Sequence, residues 1–462
     1  MTWDFSGLTG TVVTKDDAAY QNARINYNTR ISKYPAAIVF CFTVQDVQNA
    51  VNWVRTQTEK LPFRIRSGRH SYEEFSLVDK GLIIDVSQMK RLEIRQTSDG
   101  PVAVVGAGLT QGEIYGQVSQ LGYAIAAGTA PDVGIAGVSL GGGIGMLTRQ
   151  VGLALDNLLS IELVTPQGQL LIADNDQNQE LFWALRGGGG GNFGVATAFT
   201  FKLHPIRDVT FYQLKWPYSQ TVPAMHYWQQ WAPDADPRLT SQLTLHARLS
   251  GKGVTSEGLF LGPPGDLRIM LERWAEEVEP AYFRIEQTTF RQSTVYFAES
   301  DDLNCHPFKT TGAFIYDNLP ADGLQTIKQY LDEAPTVDCA LWMQSFGGAM
   351  AARRPDETAF FHRKARFIFE YVSAWHAKDD PVVGKRSAEW VESFRQALSP
   401  MTRGTYVNFV DSQLQDWLEM YYGENAAKLQ AIKTKVDPEN LFHFKQSIPL
   451  LEVKAPTAST PA

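Results

Sequence analysis

The sequence predicts an α+β fold: a glycine-rich, mixed α/β first part followed by a second part built on a sheet. Three observations carry this expectation. A chain of 462 residues is too long for one hydrophobic core and divides into two or three compact units. Glycine is concentrated early, with seven between Gly128 and Gly145 and five in a row from Gly187 to Gly191, while Asp208 to Pro400 holds no comparable cluster. From about Val209 the texture changes to longer, aromatic-rich alternating stretches separated by helical segments.

Composition narrows the function classes. With 44% hydrophobic and 20% charged residues the chain is an ordinary globular one, and disorder as the dominant state is excluded. A net charge of −8 without any Lys/Arg block argues against nucleic-acid binding and points to a small-molecule partner. Cys41, Cys305 and Cys339 lie far apart and form no CxxC pair, so neither a zinc site nor a disulfide scaffold is expected, and all three read as core residues. The N-terminal stretch lacks a basic region followed by an apolar run, and no segment approaches the ~20 apolar residues of a membrane span. A cytoplasmic protein without membrane association is the expectation.

Along the first part, Phe63 to Val105 alternates short apolar runs with Gly and Asp turns and reads as strands. Thr110-Gln-Gly-Glu113 has capping-box spacing and opens a helix through about Gln120. A GxGxxG match at Gly189, Gly191 and Gly194 is followed by the strand-like Val195-Ala-Thr-Ala-Phe-Thr-Phe201, whereas a dinucleotide fingerprint must open a helix. Gly106, Gly108 and Gly112 have the wrong spacing. In the second part Phe211–Trp216, Gln242–Arg248 and Phe367–Val372 read as strands and Asp322–Ala334 as a helix, while the Pro/Thr/Ala-rich tail after Pro449 is expected to fray.

Two tracts suit a cofactor. Pro62-Phe-Arg-Ile-Arg-Ser-Gly-Arg-His-Ser-Tyr72 is a strand running into a turn, which offers backbone N–H groups and guanidinium charge to a diphosphate. The tract Gly128–Gly145 carries more glycine than a loop needs, since each costs folding entropy, and suits close approach of backbone to a flat ligand.

These tracts carry a resemblance. Arg66-Ser-Gly-Arg-His-Ser71, the Gly-Thr-x-Pro-x-Val-Gly-x-x-Gly tract running into Gly141-Gly-Gly-Ile-Gly145, Leu181–Val195, Tyr406-Val-Asn408, Tyr421–Asn425 and Asp437–Pro449 together resemble the berberine bridge enzyme-like oxidases, vanillyl-alcohol-oxidase-type FAD proteins. The match runs in order along nearly the whole chain. It implies a two-part PCMH-type FAD-binding domain, with residues 1–207 and a returning segment 399–450, an antiparallel-sheet substrate domain covered by helices over 208–398, and a flexible tail over 451–462. The catalytic cavity would lie between the two domains.

The resemblance also implies the cofactor set. FAD would be held by Arg66, Ser67, Gly68, Arg69, His70 and Ser71, and along the second tract by Thr129, Ala130, Val133, Gly134, Gly137, Gly141, Gly142, Gly143 and Gly145. Val195 and Asn408 complete it. His70 matches the histidine bonded to the flavin 8α-methyl carbon. Bicovalent relatives carry a second, cysteinyl link where this chain has Ala130, so a single covalent bond is expected, with a lower flavin potential and more room at the ring edge. Arg69 replaces a common glycine, which requires an ordinary negative φ and adds a cation that reaches towards the pyrophosphate. No metal is expected.

For alcohol oxidation the substrate carbon must lie over the flavin with a base at the hydroxyl proton. His362–Trp375 resembles the family's cavity-lining strand. Alternation puts Phe367, Phe369, Tyr371 and Trp375 under helices and turns Ile368, Glu370 and Val372 to the flavin. Between apolar neighbours Glu370 would have a raised pKa suited to a base; the same pattern also fits a solvated strand glutamate. Tyr406 and Tyr72 match tyrosines that assist deprotonation or line the pocket in sugar-oxidising relatives, and either also fits a buried core tyrosine. Phe409 stands where the family often has a tyrosine, which shifts weight to Glu370. Val133 matches a position where valine admits oxygen to the flavin. Trp216, Trp228, Trp231, Trp274 and Trp342 are candidates for stacking on sugar rings, or core residues. The expected function is an FAD-dependent oxidase of sugar or natural-product alcohols that passes electrons to molecular oxygen and releases hydrogen peroxide. The alternatives are a dehydrogenase of the same fold and a non-catalytic FAD-binding protein.

Overall fold

The structure, a computed structural model, describes residues 3–57, 61–248, 251–300, 306–335 and 337–451. Cys305 and the tail from 452 onward lie outside the described residues. Sixteen strands among the described residues form three sheets. Strands β1 (Thr11–Thr14), β2 (Ala37–Phe40), β3 (Phe63–Arg66) and β4 (Leu82–Asp85) make a small sheet of order β1-β2-β4-β3, parallel from β2 to β3. Its inner strands β2 and β4 are almost wholly apolar, as strands covered on both faces are, while β3 at the edge carries Arg64 and Arg66. Strands β5 (Leu92–Thr97), β6 (Gly100–Gly106), β7 (Leu158–Val164), β8 (Leu170–Asp174) and β9 (Val195–Lys202) pair antiparallel in the order β5-β6-β9-β7-β8.

Local signals behave as the sequence predicts. Thr110 caps the helix Gln111–Val118: its side chain accepts from the Glu113 N–H, and Glu113 Oε2 accepts the Thr110 N–H at 2.8 Å. A second box, Thr43 with Asp46, opens Val44–Thr56. The run after Gly187 is a loop in which Gly187, Gly189 and Gly191 take φ of +122°, +83° and +75°, and it feeds β9 rather than a helix.

The second part is one antiparallel sheet of β10 (Asp208–Pro217), β11 (Leu239–Arg248), β12 (Gly251–Phe260), β13 (Tyr282–Thr289), β14 (Phe308–Ile315), β15 (Asp338–Ser345) and β16 (Phe367–Ala374), in the order β13-β10-β12-β11-β15-β16-β14. Period-2 alternation sorts its two faces. Leu214, Leu243, Leu245, Leu341, Phe367, Phe369 and Tyr371 pack under the helices Thr221–Trp231, Pro264–Glu277, Ala321–Asp332 and Pro381–Leu398. That core absorbs Trp216, Trp228 and Trp274, with Trp231 tilted against Trp274, so of the five tryptophans singled out only Trp342 reaches the open face of the sheet. After Ser399 the chain returns to the first part: Tyr406, Tyr421, Tyr422, Leu429, Phe442 and Ile448 share its core. Among the described residues no helix is long and apolar enough to cross a membrane, and no His/Cys/Asp/Glu cluster suits a metal ion. Cys41 and Cys339 are buried free thiols.

Candidate active site

A cavity of about 680 Å³ separates the glycine tracts from the open face of the seven-stranded sheet, within the usual size of a cofactor and substrate site. Its first wall begins at β3. Arg66 is buried, with Nε 2.6 Å from Asp85 Oδ2 and Nη2 donating to the Ala23 carbonyl at 2.7 Å. Asp85 therefore offsets most of the charge expected to face a diphosphate. Arg66 Nη1 and Arg64 Nε nevertheless remain buried without a hydrogen-bond partner at this wall, and burial lowers the pKa of both guanidinium groups. The positive charge of the two guanidinium groups favours an anionic group at this wall.

The turn after β3 departs from expectation at Arg69. Its φ is +59°, in the left-handed region rather than at the ordinary negative value expected of a non-glycine residue, at a cost of about 1 to 3 kcal/mol. The surrounding segment over-determines this conformation. The Tyr27 N–H donates to the Arg69 carbonyl (2.9 Å), Asn26 Nδ2 to that of Ser71 (2.9 Å) and Asn28 Nδ2 to that of Tyr72 (2.8 Å). Nor does the Arg69 guanidinium extend to a pyrophosphate: Nη1 donates to the Asn22 carbonyl at 3.0 Å, and the group lies over Phe40. Gly68 is required by contact, because a Cβ there would stand 2.3 Å from the Gly134 nitrogen. The Ser67 and Ser71 hydroxyls donate to the Ala107 and Glu73 carbonyls. His70 lines the cavity, stacked on Tyr27 with ring centroids 3.7 Å apart, and its Nε2 lies 3.0 Å from Asp132 Oδ2, out of line for a hydrogen bond.

The second glycine tract divides in two. Thr129, Ala130, Val133, Gly134 and Gly137 line the cavity, and the Gln111 side chain holds their turn by bonds to the Gly128 N–H and the Ala130 carbonyl. Gly141, Gly142, Gly143 and Gly145 do not line it. A Cβ on them would meet the Asn408 side chain, the Tyr406 ring, Ala154 Cβ and the Ala127 carbonyl, respectively. Their missing side chains thus make room for other parts of the chain rather than for a ligand. Val195 is likewise buried within β9, away from the cavity lining.

That packing seats the catalytic candidates. The Tyr406 hydroxyl oxygen accepts the Gly143 N–H and Asn408 Nδ2, each at 2.8 Å, and burial pushes its pKa up to about 12. Tyr72 stacks on Phe409, and Trp342 meets Phe409 edge-on, so three rings form one side of the cavity. Glu370 lies opposite the glycine wall, where Thr310 Oγ1 donates to its Oε1 at 3.0 Å.

Ile368 and Val372 flank Glu370 along β16 and Gly312 and Trp342 pair with it across the sheet, as apolar neighbours were expected to, but the floor beyond them is polar. Cross-strand pairing places Gln213, Glu257, Gln242 and Gln344 in one file across β10, β12, β11 and β15. Within it Gln213 Nε2 donates to Glu257 (3.2 Å) and Gln242 Nε2 to Gln344 Oε1 (2.9 Å), while Gln344 Nε2 reaches the Gly145 carbonyl at 3.1 Å. The next file runs Thr255, Thr244, Trp342 and Glu370. Sequence reasoning missed this polar floor. Its signal is alternation, as in Gln242-Leu-Thr-Leu-His246, a pattern that on most sheets marks the face turned to water.

A glycine cradle open at Gly137, where a Cβ would meet nothing within 4 Å, and the guanidinium charge of Arg64 and Arg66 at the same wall fit a flat dinucleotide with a diphosphate. Comparison with known proteins agrees. The FAD binding domain family matches residues 35–174, and the family described as berberine and berberine like matches residues 405–449. The FAD-linked oxidoreductase YgaK of Bacillus subtilis is 39% identical over 96% of this chain and 98% of its own length. Berberine bridge enzyme-like 1 of Arabidopsis thaliana is 30% identical over 95% of this chain and 87% of its own.

The chain belongs to the berberine bridge enzyme-like family of FAD-linked oxidoreductases.

The fold of this family member also matches the solved structure of a chitooligosaccharide oxidase, with a TM-score of 0.83, 26% identity and coverage of 96% of this chain and 98% of that one. FAD is its cofactor. Arg64, Arg66, the Gly68–Gly134 contact and His70 form the wall that would hold it, and the polar floor forms the opposite wall.

Proposed function

We propose that this oxidoreductase oxidises an alcohol group of a polyhydroxylated, sugar-type substrate, with FAD linked to His70 by a single covalent bond and molecular oxygen as acceptor. The observation that carries the reading is the file Gln213-Glu257-Gln242-Gln344 facing the glycine wall: beyond the bonds they make to one another, these amides and carboxylate keep donor and acceptor capacity that hydroxyl groups can use and an apolar ligand cannot. The structural likeness to a chitooligosaccharide oxidase supports it. Trp342 and the Tyr72–Phe409 pair supply the apolar faces on which a sugar ring stacks.

FAD bound at the glycine wall supplies a two-electron acceptor for the hydride of the alcohol carbon. Glu370, its rotamer set by the Thr310 hydroxyl, takes the hydroxyl proton. Tyr406 stays protonated at neutral pH, and the two N–H donors on its oxygen polarise the phenol, which orients the alcohol oxygen by donating to it. Val133 is the small side chain at the wall where oxygen would enter. Ala130 carries no nucleophile, which leaves His70 as the single link.

The test is a panel of mono- and oligosaccharides beside aromatic alcohols, scored for anaerobic bleaching of the flavin and for peroxide release in air. Bleaching by sugars with stoichiometric peroxide supports the proposal. Bleaching by aromatic alcohols alone sinks the sugar reading. Turnover with a dye but none with oxygen makes the protein a dehydrogenase.

A further inference from the structure

His70 is held more elaborately than the end of a turn requires. Residues 26–30 run beside residues 69–73 and bind them at successive points: Tyr27 to Arg69, Asn26 to Ser71, Asn28 to Tyr72, and Arg30 Nη2 to Glu73 Oε1 at 2.9 Å. Asn28 also donates to the Phe308 carbonyl and accepts from its N–H, which anchors the clamp to β14. From this clamp the Tyr27 ring lies on the imidazole, 3.7 Å between centroids and 23° from parallel, with Phe308 edge-on behind it. On the other side Asp132 Oδ2 stands 3.0 Å from Nε2. The His70 side chain is 11% exposed, whereas that of Asp132 is 55% exposed.

We infer that Tyr27 and Asp132 are positioning residues that ready the His70 imidazole to bond the flavin. The inference rests on the covalent reading proposed above. A neutral imidazole has one N–H and one lone pair, and only the nitrogen with the lone pair can attack carbon. A carboxylate 3.0 Å from Nε2, though out of line for a hydrogen bond, favours by its charge the tautomer protonated there and leaves the lone pair on Nδ1. The imidazole in turn holds the Asp132 carboxyl below the ordinary aspartate range, so the carboxylate is ionised at neutral pH. The stacked Tyr27 fixes the ring plane, which removes rotation the attack would otherwise have to freeze.

The Nδ1–C bond forms, the 8α-methyl carbon gives up one C–H proton, and the imidazole, cationic on alkylation, loses its Nε2 proton towards Asp132 and solvent. Two electrons and two protons are released in all, and dioxygen takes them up as hydrogen peroxide. Asp132 stabilises the cationic ring before that proton leaves.

The experiment follows covalent incorporation rather than turnover. Full-length wild type, His70→Ala, Asp132→Asn, Asp132→Glu, Tyr27→Ala and Tyr27→Phe are incubated with saturating FAD in air. Total bound flavin is read from absorbance, and the covalent fraction from flavin that stays with the acid-precipitated polypeptide over time. The expected result is that Asp132→Asn and Tyr27→Ala still bind FAD but form the bond at least about tenfold more slowly, while Tyr27→Phe and Asp132→Glu recover most of the rate. If Asp132→Asn and Tyr27→Ala incorporate at the wild-type rate while His70→Ala incorporates none, the positioning role is wrong and the histidyl link stands. If wild type releases all its flavin on precipitation, the link itself is wrong and the positioning role falls with it.

Discussion

Asn408 Nδ2 donates to the Tyr406 hydroxyl oxygen at 2.8 Å, and the Gly143 N–H reaches the same oxygen from the glycine tract. Two donors on one phenol oxygen leave the phenol its own proton to give. Tyr406→Phe should therefore keep flavin binding and lower kcat about a hundredfold, with a smaller change in KM. Because Tyr406 is held at about 12, its titration should leave no limb in the pH–rate profile of wild type below about pH 10. Steady-state kinetics across pH, beside flavin absorbance, checks both statements.

Glu370→Gln keeps the Thr310 contact through its amide oxygen but cannot take a proton. Its kcat should fall by about 10² to 10⁴ with the bound-flavin spectrum unchanged. Activity within threefold of wild type would remove Glu370 from the chemistry and leave it a floor residue.

Gly68 and Gly137 both line the cavity yet should behave oppositely. A Cβ at Gly68 collides with Gly134 backbone at 2.3 Å, so Gly68→Ala should destabilise the protein itself. At Gly137 a Cβ meets no protein atom within 4 Å, and the position lies in the helix Ile135–Gly141. Gly137→Val should hold the stability of the flavin-free protein within about 1 kcal/mol, while filling cofactor space and weakening FAD binding. Thermal melts without added FAD, beside flavin titrations, distinguish the two.

On the polar floor, Gln242→Leu and Gln344→Leu each remove amide partners while preserving bulk. KM for an accepted sugar should rise about three- to tenfold per substitution with kcat nearly unchanged, the size of one or two lost hydrogen bonds. A raised affinity for sugars in either variant would contradict the proposed substrate class.

Lys309, buried on β14, meets Asp411, Glu392 Oε1 at 3.1 Å and Glu73 Oε1 at 3.5 Å, and thereby joins the substrate sheet, the helix Pro381–Leu398, the returning segment and the turn after His70. Burial, reinforced by Asp411 beside it, raises the Glu392 pKa above the ordinary 4.5. The folded state then holds a proton the unfolded chain has lost. Stability from this group is fully present below pH 4.5 and declines as pH rises through the folded value. Glu392→Gln mimics the protonated form, so its melting temperature relative to wild type should increase with pH over that interval. A difference independent of pH would show that Glu392 is ionised in the native state.

Much of this protein was legible from local chemistry. The capping box at Thr110 involves residues three apart, and the glycine run at 187–191 feeds a strand rather than a helix. The faces of β16 followed from alternation alone. The family motifs, being contiguous, were readable as well. Arg69 was misjudged because its left-handed backbone is enforced by Tyr27, more than forty residues earlier in the chain.

What the sequence by itself determined is therefore what neighbours along the chain decide: the element types, the glycine-rich cofactor wall and the membership in a flavin family. The tertiary structure decided which glycines face the cofactor wall and which admit Tyr406 and Asn408, how Asp85 spends most of the charge of Arg66, and that polar residues from four strands stand in one file beside Glu370. The physical reason is register. A strand's alternation says only that one face is polar; whether that face meets water or a cavity, and which residue stands beside which, depends on pairings between segments as far apart as Gln213 and Gln344.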